Sequence, residues 1–217
     1  MKPLTFSKKG QELIKLYESM AGEGYDLVDG TRKEVAYSDF QLRAYREHIR
    51  PYLNKHKIST ILDYGCGGSN WNIQGFDEKT GQSAVEYFDL KNTYRYEPAR
   101  EIDERQSVDC VISFDVLEHI FILDIPSVLR DMFSHASKML ILNIACYSAA
   151  ALLPNGENAH ITVRPPLWWK GMLDSISVEY PHISILLICS PEFKNSKAYP
   201  EWSASDWENS NTFVIND

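Results

Sequence analysis

The apolar run Ile61-Leu62-Asp63-Tyr64 breaks into Gly65-Cys66-Gly67-Gly68-Ser69-Asn70. Residues lacking a Cβ at a strand end let the backbone turn tightly and approach a ligand, and a following helix would offer it unpaired N–H groups. That geometry suits a dinucleotide or a nucleoside-bearing cofactor. Further along, Asp89 closes Ala84-Val85-Glu86-Tyr87-Phe88-Asp89, which reads as a short strand ending in an acid. Its spacing from Gly65 suits a carboxylate that accepts hydrogen bonds from ribose hydroxyls, although a turn or helix-capping aspartate is the plainer alternative. Asp115 ends a third apolar run, Val108 to Phe114, with His119 just beyond, and His160 lies in Asn158-Ala159-His160-Ile161-Thr162-Val163-Arg164. These two histidines can stand at the C-terminal edge of a parallel sheet, where an imidazole serves as a general base. Structural placement with a ring nitrogen on the backbone competes with that role. Arg164, followed by two prolines, is a cation at a rigid corner, suited to a substrate carboxylate or phosphate or to a surface ion pair. Trp168 and Trp169 would stand about 100 degrees apart on a helix, so that Trp168 lines a substrate pocket or both simply pack.

The residues flanking the glycines separate the two cofactors. Asn70 stands where a G-x-G-x-x-G fingerprint needs its third glycine. Asp63, two residues before Gly65, instead gives D-Y-G-C-G-G-S, which resembles the first motif of the class I S-adenosylmethionine (SAM) methyltransferases, D-x-G-x-G-x-G, with Ser69 replacing the last glycine. The wording F-D-V-L-E-H over residues 114–119 resembles the fourth strand and following loop of the same family. The resemblance covers roughly residues 58–215. It implies an α/β, Rossmann-like doubly wound fold, with a mostly parallel seven-stranded sheet, an antiparallel C-terminal edge strand and an N-terminal helical cap. It also implies S-adenosyl-L-methionine as cofactor, with Asp63 at its amino-acid end, Gly65, Cys66 and Gly67 around it, Asp89 at the ribose and Asp115 touching either ligand. Glu97, Glu101 and Asp103 compete for a place near the adenine. An N-terminal segment would fold over the cofactor, bringing Tyr25 towards it.

Methyl transfer from a sulfonium is an in-line displacement, so the protein must hold an acceptor opposite the leaving sulfur, and a hydroxyl acceptor also needs a base. The expected activity is therefore methyl transfer to a small molecule, at a hydroxyl of a sugar or related metabolite, with His119 or His160 as base and Arg164 and Trp168 at the substrate. A SAM-binding protein without turnover and a nucleotide-dependent oxidoreductase are the alternatives.

The elements that must position these residues can be followed along the chain. Leu13, Leu16, Tyr17 and Met20 share one helical face, ended by Gly22 and Gly24. Ser38 with Gln41 forms a capping box for a second helix carrying Leu42, Tyr45, Ile49 and Leu53, whose outer face bears Arg43, Arg46, Glu47 and Arg50. These helices make a cap over residues 1–57, ahead of a cofactor domain at 58–217. After Asn70 the chain is a poor helix former and the crossover is short or irregular. Asp124 reads as the N-cap of a helix with Pro126 in its first turn. Lys138 to Ile144 reads as a strand covered on both faces, Pro165 to Leu173 as a helix, and His182 to Cys189 and Asn211 to Ile215 as the last strands. The loop between those strands, with Trp202 and Trp207, is a candidate lid.

The chain has 217 residues and a formal charge of −8, enough for one compact domain and unfavourable for nucleic-acid phosphates or anionic membranes. Cys66, Cys110, Cys146 and Cys189 show no metal-ligand spacing, so no metal is expected and reduced thiols in a cytoplasmic protein are the simplest reading. Neither a signal-peptide core nor a bilayer-spanning run is present.

Overall fold

The computed structural model describes residues 4–34, 40–190 and 211–217, with residues 40 and 41 described by their backbone alone. Ser38, Trp202 and Trp207 lie outside them, and with them the expected capping box and lid. The elements in chain order are α1 (Lys8–Glu23), β1 (Tyr25–Asp26), β2 (Arg32–Lys33), α2 (Phe40–Lys55), β3 (Thr60–Tyr64), α3 (Ala84–Tyr87), β4 (Asn92–Glu97), β5 (Ile102–Asp103) and β6 (Val108–Phe114). They continue with α4 (Ile125–His135), β7 (Ala136–Ala145), α5 (Pro166–Ser177), β8 (Ser184–Ser190) and β9 (Asn211–Ile215).

Seven strands form one sheet in the order β5-β4-β3-β6-β7-β8-β9. β4, β3, β6, β7 and β8 run parallel, and β9 is antiparallel at the C-terminal edge, as expected. The opposite edge is antiparallel too, through β5, which the sequence did not announce. Alternation along the central strands splits the core. Val111, Leu140, Leu142, Ile185 and Leu187 pack with α4 and α5 on one face, while Cys110, Ile112, Met139, Ile141, Leu186 and Ile188 pack with α2 on the other. Both faces are covered, which is why β7 and β8 read as unbroken apolar runs.

Two expectations need correction here. α2 is not part of a cap: Tyr45, Ile49 and Leu53 are buried against the sheet, so a boundary at residue 57 would divide the core. Its arginines are engaged with the chain, although Arg50 and Glu47 stay exposed. Arg46 pairs with buried Asp77 at 3.2 Å, and the Arg43 and Arg50 guanidinium groups lie over the rings of Phe76 and Tyr87. They pin the irregular crossover from β3 to β4.

Residues 84–87 are helical rather than a strand. Ser83 and Glu86 form a reciprocal capping box, satisfying two backbone donors at once. The strand comes later, at β4, whose polar residues and partial burial hid it from a hydrophobic pattern.

What remains of the cap is α1 with the β1–β2 hairpin. Asp124 does not cap its own helix; its carboxylate accepts hydrogen bonds from the Ser7 amide and hydroxyl, both at 2.8 Å, and so ties the start of α1 to the start of α4. The chain after β7 completes the attachment: Val28 donates to the Ala150 carbonyl, Leu152 donates to that of Asp26, and Leu13 and Met20 pack with Leu153 and Ala159. Among the described residues, no helix is long and apolar enough to cross a membrane.

Candidate functional site

Strand order reverses between β3 and β6: the chain leaves β3 towards β4 and β5, then returns beside β3 and continues outwards through β7. At such a switch point the loops leaving adjacent parallel strands diverge, opening a crevice beyond their C-terminal ends. Here that crevice is a cavity of about 770 Å³, lined also by α1 and by residues 147–151 and 158–160. Its size lies within the roughly 300–1,000 Å³ of small-molecule and cofactor sites.

The glycine turn forms one wall. Gly65 has φ +82°, and a Cβ there would meet the Val116 side chain at 2.4 Å, so both dihedral and space demand glycine. The Gly65 and Cys66 amides donate to the Tyr96 carbonyl, and the Gly67 amide donates to the Glu97 carboxylate at 3.0 Å. No helix follows the turn. Asp63, buried at the end of β3, lines the cavity and braces the turn by accepting from the Ser69 hydroxyl at 2.7 Å and the Trp71 indole at 2.8 Å.

Glu97, at the end of β4, faces Asp63 across this turn. Burial pushes its carboxyl up, against the hydrogen bonds from the Ala99 and Gly67 amides. Cys66 between them is pushed up to about 12, by burial first and then by the Asp63 and Glu97 charges. Its thiol stays protonated at neutral pH, and Arg95 opposes the two acids there as Arg100 does at Glu97.

The opposite wall holds Asp115, His119 and His160. Asp115 follows β6 with φ 58°, an uncommon left-handed conformation for a residue with a side chain. The following 3-10 turn at Leu117–His119 carries His119 into the cavity. His119 Nδ1 lies 2.9 Å from the Ala159 carbonyl and 3.2 Å from the Tyr17 hydroxyl. His160 Nδ1 faces the Tyr147 carbonyl, and the His160 amide donates to Asn158 Oδ1, which also holds the Ala149 amide. A carbonyl only accepts, so each Nδ1 carries a hydrogen and each ring is anchored through that nitrogen.

The two rings are 4.8 Å apart and edge to face, and His160 Nε2 lies 3.9 Å from Asp115 Oδ1. One ligand atom from each of the three residues lies within 4.8 Å of the others. Burial, and then the neighbouring His160, lower the His119 pKa to about 4, with Asp115 opposing. His119 is thus a neutral acceptor at physiological pH.

The structure therefore brings together Asp63, Gly65, Cys66, Gly67, Asp115, His119 and His160 around one cavity, with Tyr25 in its lining. Asp89 is not among them. It is exposed, with φ 55° after α3, and the acid that reaches the cavity at the end of the second parallel strand is Glu97. Arg164 and Trp168 also stand away from the lining. Arg164 donates to the Val163 carbonyl and its guanidinium lies 5.9 Å from the Trp168 ring; Trp168 packs on the core edge beside fully buried Trp169.

Sequence reasoning missed Tyr17 and Glu118. The carboxylate Oε1 of fully buried Glu118 accepts from the Ala145 amide and its carbonyl accepts from Thr162, which joins β6, β7 and the segment after His160 beneath the cluster. Burial, then the Asp115 charge, hold its carboxyl well above the usual range. Its place inside D-V-L-E-H was the available signal. Comparison of the chain with protein-family models, with curated proteins and with solved structures finds no match.

Proposed function

We propose that the chain is a SAM-dependent methyltransferase of Rossmann-like, doubly wound architecture, acting on a hydroxyl of a small molecule. The single observation that carries this reading is the charge around the glycine turn. Asp63 and Glu97 both line the cavity there and hold the turn through Ser69 and Gly67, so a dinucleotide pyrophosphate would face two carboxylates, whereas the ammonium and sulfonium of SAM would be attracted by them. In this reading the cofactor takes the wall of Asp63, Gly65, Cys66, Gly67 and Glu97, with Tyr25 above it. The acceptor hydroxyl takes the wall of Asp115, His119 and His160.

The transfer balances with these residues. An oxygen lone pair forms the new bond to the methyl carbon, the carbon–sulfur bond breaks, and its electron pair stays on sulfur as a neutral thioether. The hydroxyl proton passes to an open histidine Nε2. Trp168, the expected substrate wall, is absent from the described lining; Phe121, Tyr147 and Ala149 near the histidines favour an acceptor with an apolar body beside its hydroxyl. Four free cysteines are in keeping with a cytoplasmic setting.

Thermal-shift titration with SAM, its demethylated product and NAD tests the reading, because a ligand of the native state raises its apparent stability. SAM and the product should stabilise the protein, and Asp63→Asn and Glu97→Gln should each weaken SAM about tenfold, the effect of losing roughly 1.4 kcal/mol of a charge-assisted contact. Stabilisation by NAD alone overturns it.

A further inference from the structure

We infer that Asp115, His119 and His160 form a binding site for a divalent transition-metal cation in the acceptor wall of the cavity. Two observations carry this. The first is convergence: three potential ligand atoms from two loops, after β6 and after β7, lie within 4.8 Å of one another and line one cavity. Ligand atoms around a cation bound at about 2.1 Å stand roughly 3–3.5 Å apart. Small side-chain rotations, that of half-buried Asp115 at 3.9 Å from His160 Nε2 among them, would bring the set from within 4.8 Å to that spacing.

The second is orientation. Each imidazole is fixed through Nδ1 by a backbone carbonyl, Ala159 for His119 and Tyr147 for His160. This arrangement sets the tautomer and ring plane of metal-ligating histidines and leaves Nε2 as the donor. Both rings are locked in this way beside one carboxylate, with His160 Nε2 3.9 Å from Asp115 Oδ1. Two imidazoles and one carboxylate suit Mn²⁺, Co²⁺ or Zn²⁺ better than Mg²⁺ or Ca²⁺, which prefer oxygen sets. Three protein ligands leave positions open to the cavity.

The site itself follows from the coordinates; only its use rests on the methyltransferase reading. In that use a bound cation would polarise the acceptor hydroxyl so that its proton could leave to water, and the histidines would then be ligands in place of the base named above.

The test uses the full chain, stripped with a chelator and titrated with Mn²⁺, Co²⁺, Zn²⁺ and Mg²⁺ by calorimetry without SAM, with the visible spectrum of the Co²⁺ form as a second readout. One equivalent of Co²⁺ or Zn²⁺ should bind, with Mg²⁺ at least a hundredfold weaker. His160→Ala and the milder Asp115→Asn should each weaken binding tenfold or more and change the Co²⁺ spectrum, with circular dichroism unchanged. No saturable binding, or full binding in a folded Asp115→Asn and His160→Ala protein, overturns the site. SAM binding is scored separately: a chain that binds SAM but no cation defeats this inference alone. A chain that binds the cation at these residues but not SAM sustains it and defeats the methyltransferase reading.

Discussion

Single residues control the cavity through backbone geometry as much as through charge. Gly65→Ala meets two obstacles, a positive φ and the Val116 side chain at 2.4 Å. The dihedral alone costs about 1 kcal/mol or more. We expect a lower melting temperature and loss of SAM-dependent stabilisation, and Val116→Ala in the same chain should restore only part, since it removes the contact and leaves the dihedral. At the other wall, His119→Ala or His160→Ala should reduce methyl transfer about a hundredfold or more while SAM affinity changes little, measured by single-turnover assay beside calorimetry. Equal loss of both would place these residues at the cofactor instead.

The glycine turn was legible because its residue types have few other uses. The meeting of His119 with His160 was legible only as two separate candidates, because their approach depends on the Asn158 and Tyr147 contacts, which link residues with no periodic signature. Asp89 misled because Val85, Tyr87 and Phe88 look like strand residues. A local capping contact between Ser83 and Glu86 outweighs that preference in so short a segment.

At the scale of elements, a few buried carboxylates join parts that the sheet alone would not. Asp124 accepts two hydrogen bonds from Ser7, and a Cβ on Gly10 would meet its carboxylate oxygen at 2.1 Å. Asp124→Ala should therefore cost about 1–3 kcal/mol through the orphaned donors. Limited proteolysis should then cut ahead of or within α1 faster than in the parent chain; an unchanged cleavage rate would remove Asp124 from the attachment.

On the sheet side, Arg105 bridges Asp103 and Asp131 at 2.7 and 2.8 Å and lies over the Tyr96 ring, while Tyr64 donates to Asp131. These contacts hold the short strand β5 and helix α4 against β4. Strands β7 and β8 were readable because burial on both faces enforces continuous apolar sequence. β4 and β5 were not, because their stability comes from ion pairs and aromatic contacts that leave no hydrophobic period.

For the whole molecule, acid removes the stabilisation that paired carboxylates supply, while buried Glu97 and Glu118, whose carboxyls are held high, act in the opposite sense. Asp109 is an example of the paired kind. Burial raises its pKa, but the Lys138 ammonium and the Ser59 amide and hydroxyl prevail and hold it down to about 2, against a usual 3.8. Contacts with Arg105 and Arg95 lower Asp103 and Glu104 in the same sense. Because the folded pKa values lie below the unfolded ones, the unfolded chain binds more protons in acid. The stabilisation is then complete above about pH 4.5 and is lost as pH falls towards 2. Urea midpoints measured between pH 6 and pH 2.5 should fall steeply below 4, and Asp109→Asn should flatten the lower part of that decline.

The contact between Ser7 and Asp124 spans 117 positions. A nascent chain therefore releases its first helix long before any of that helix's neighbours exist, and Leu13 and Met20 remain wetted until Leu153 and Ala159 have been synthesised. Long-range closure of this kind is slow, and an uncovered amphipathic segment is open to unwanted association meanwhile. Pulse-labelling hydrogen exchange during refolding should find the amides of α1 among the last to gain protection. The ligand chamber would thus be completed after the sheet beneath it.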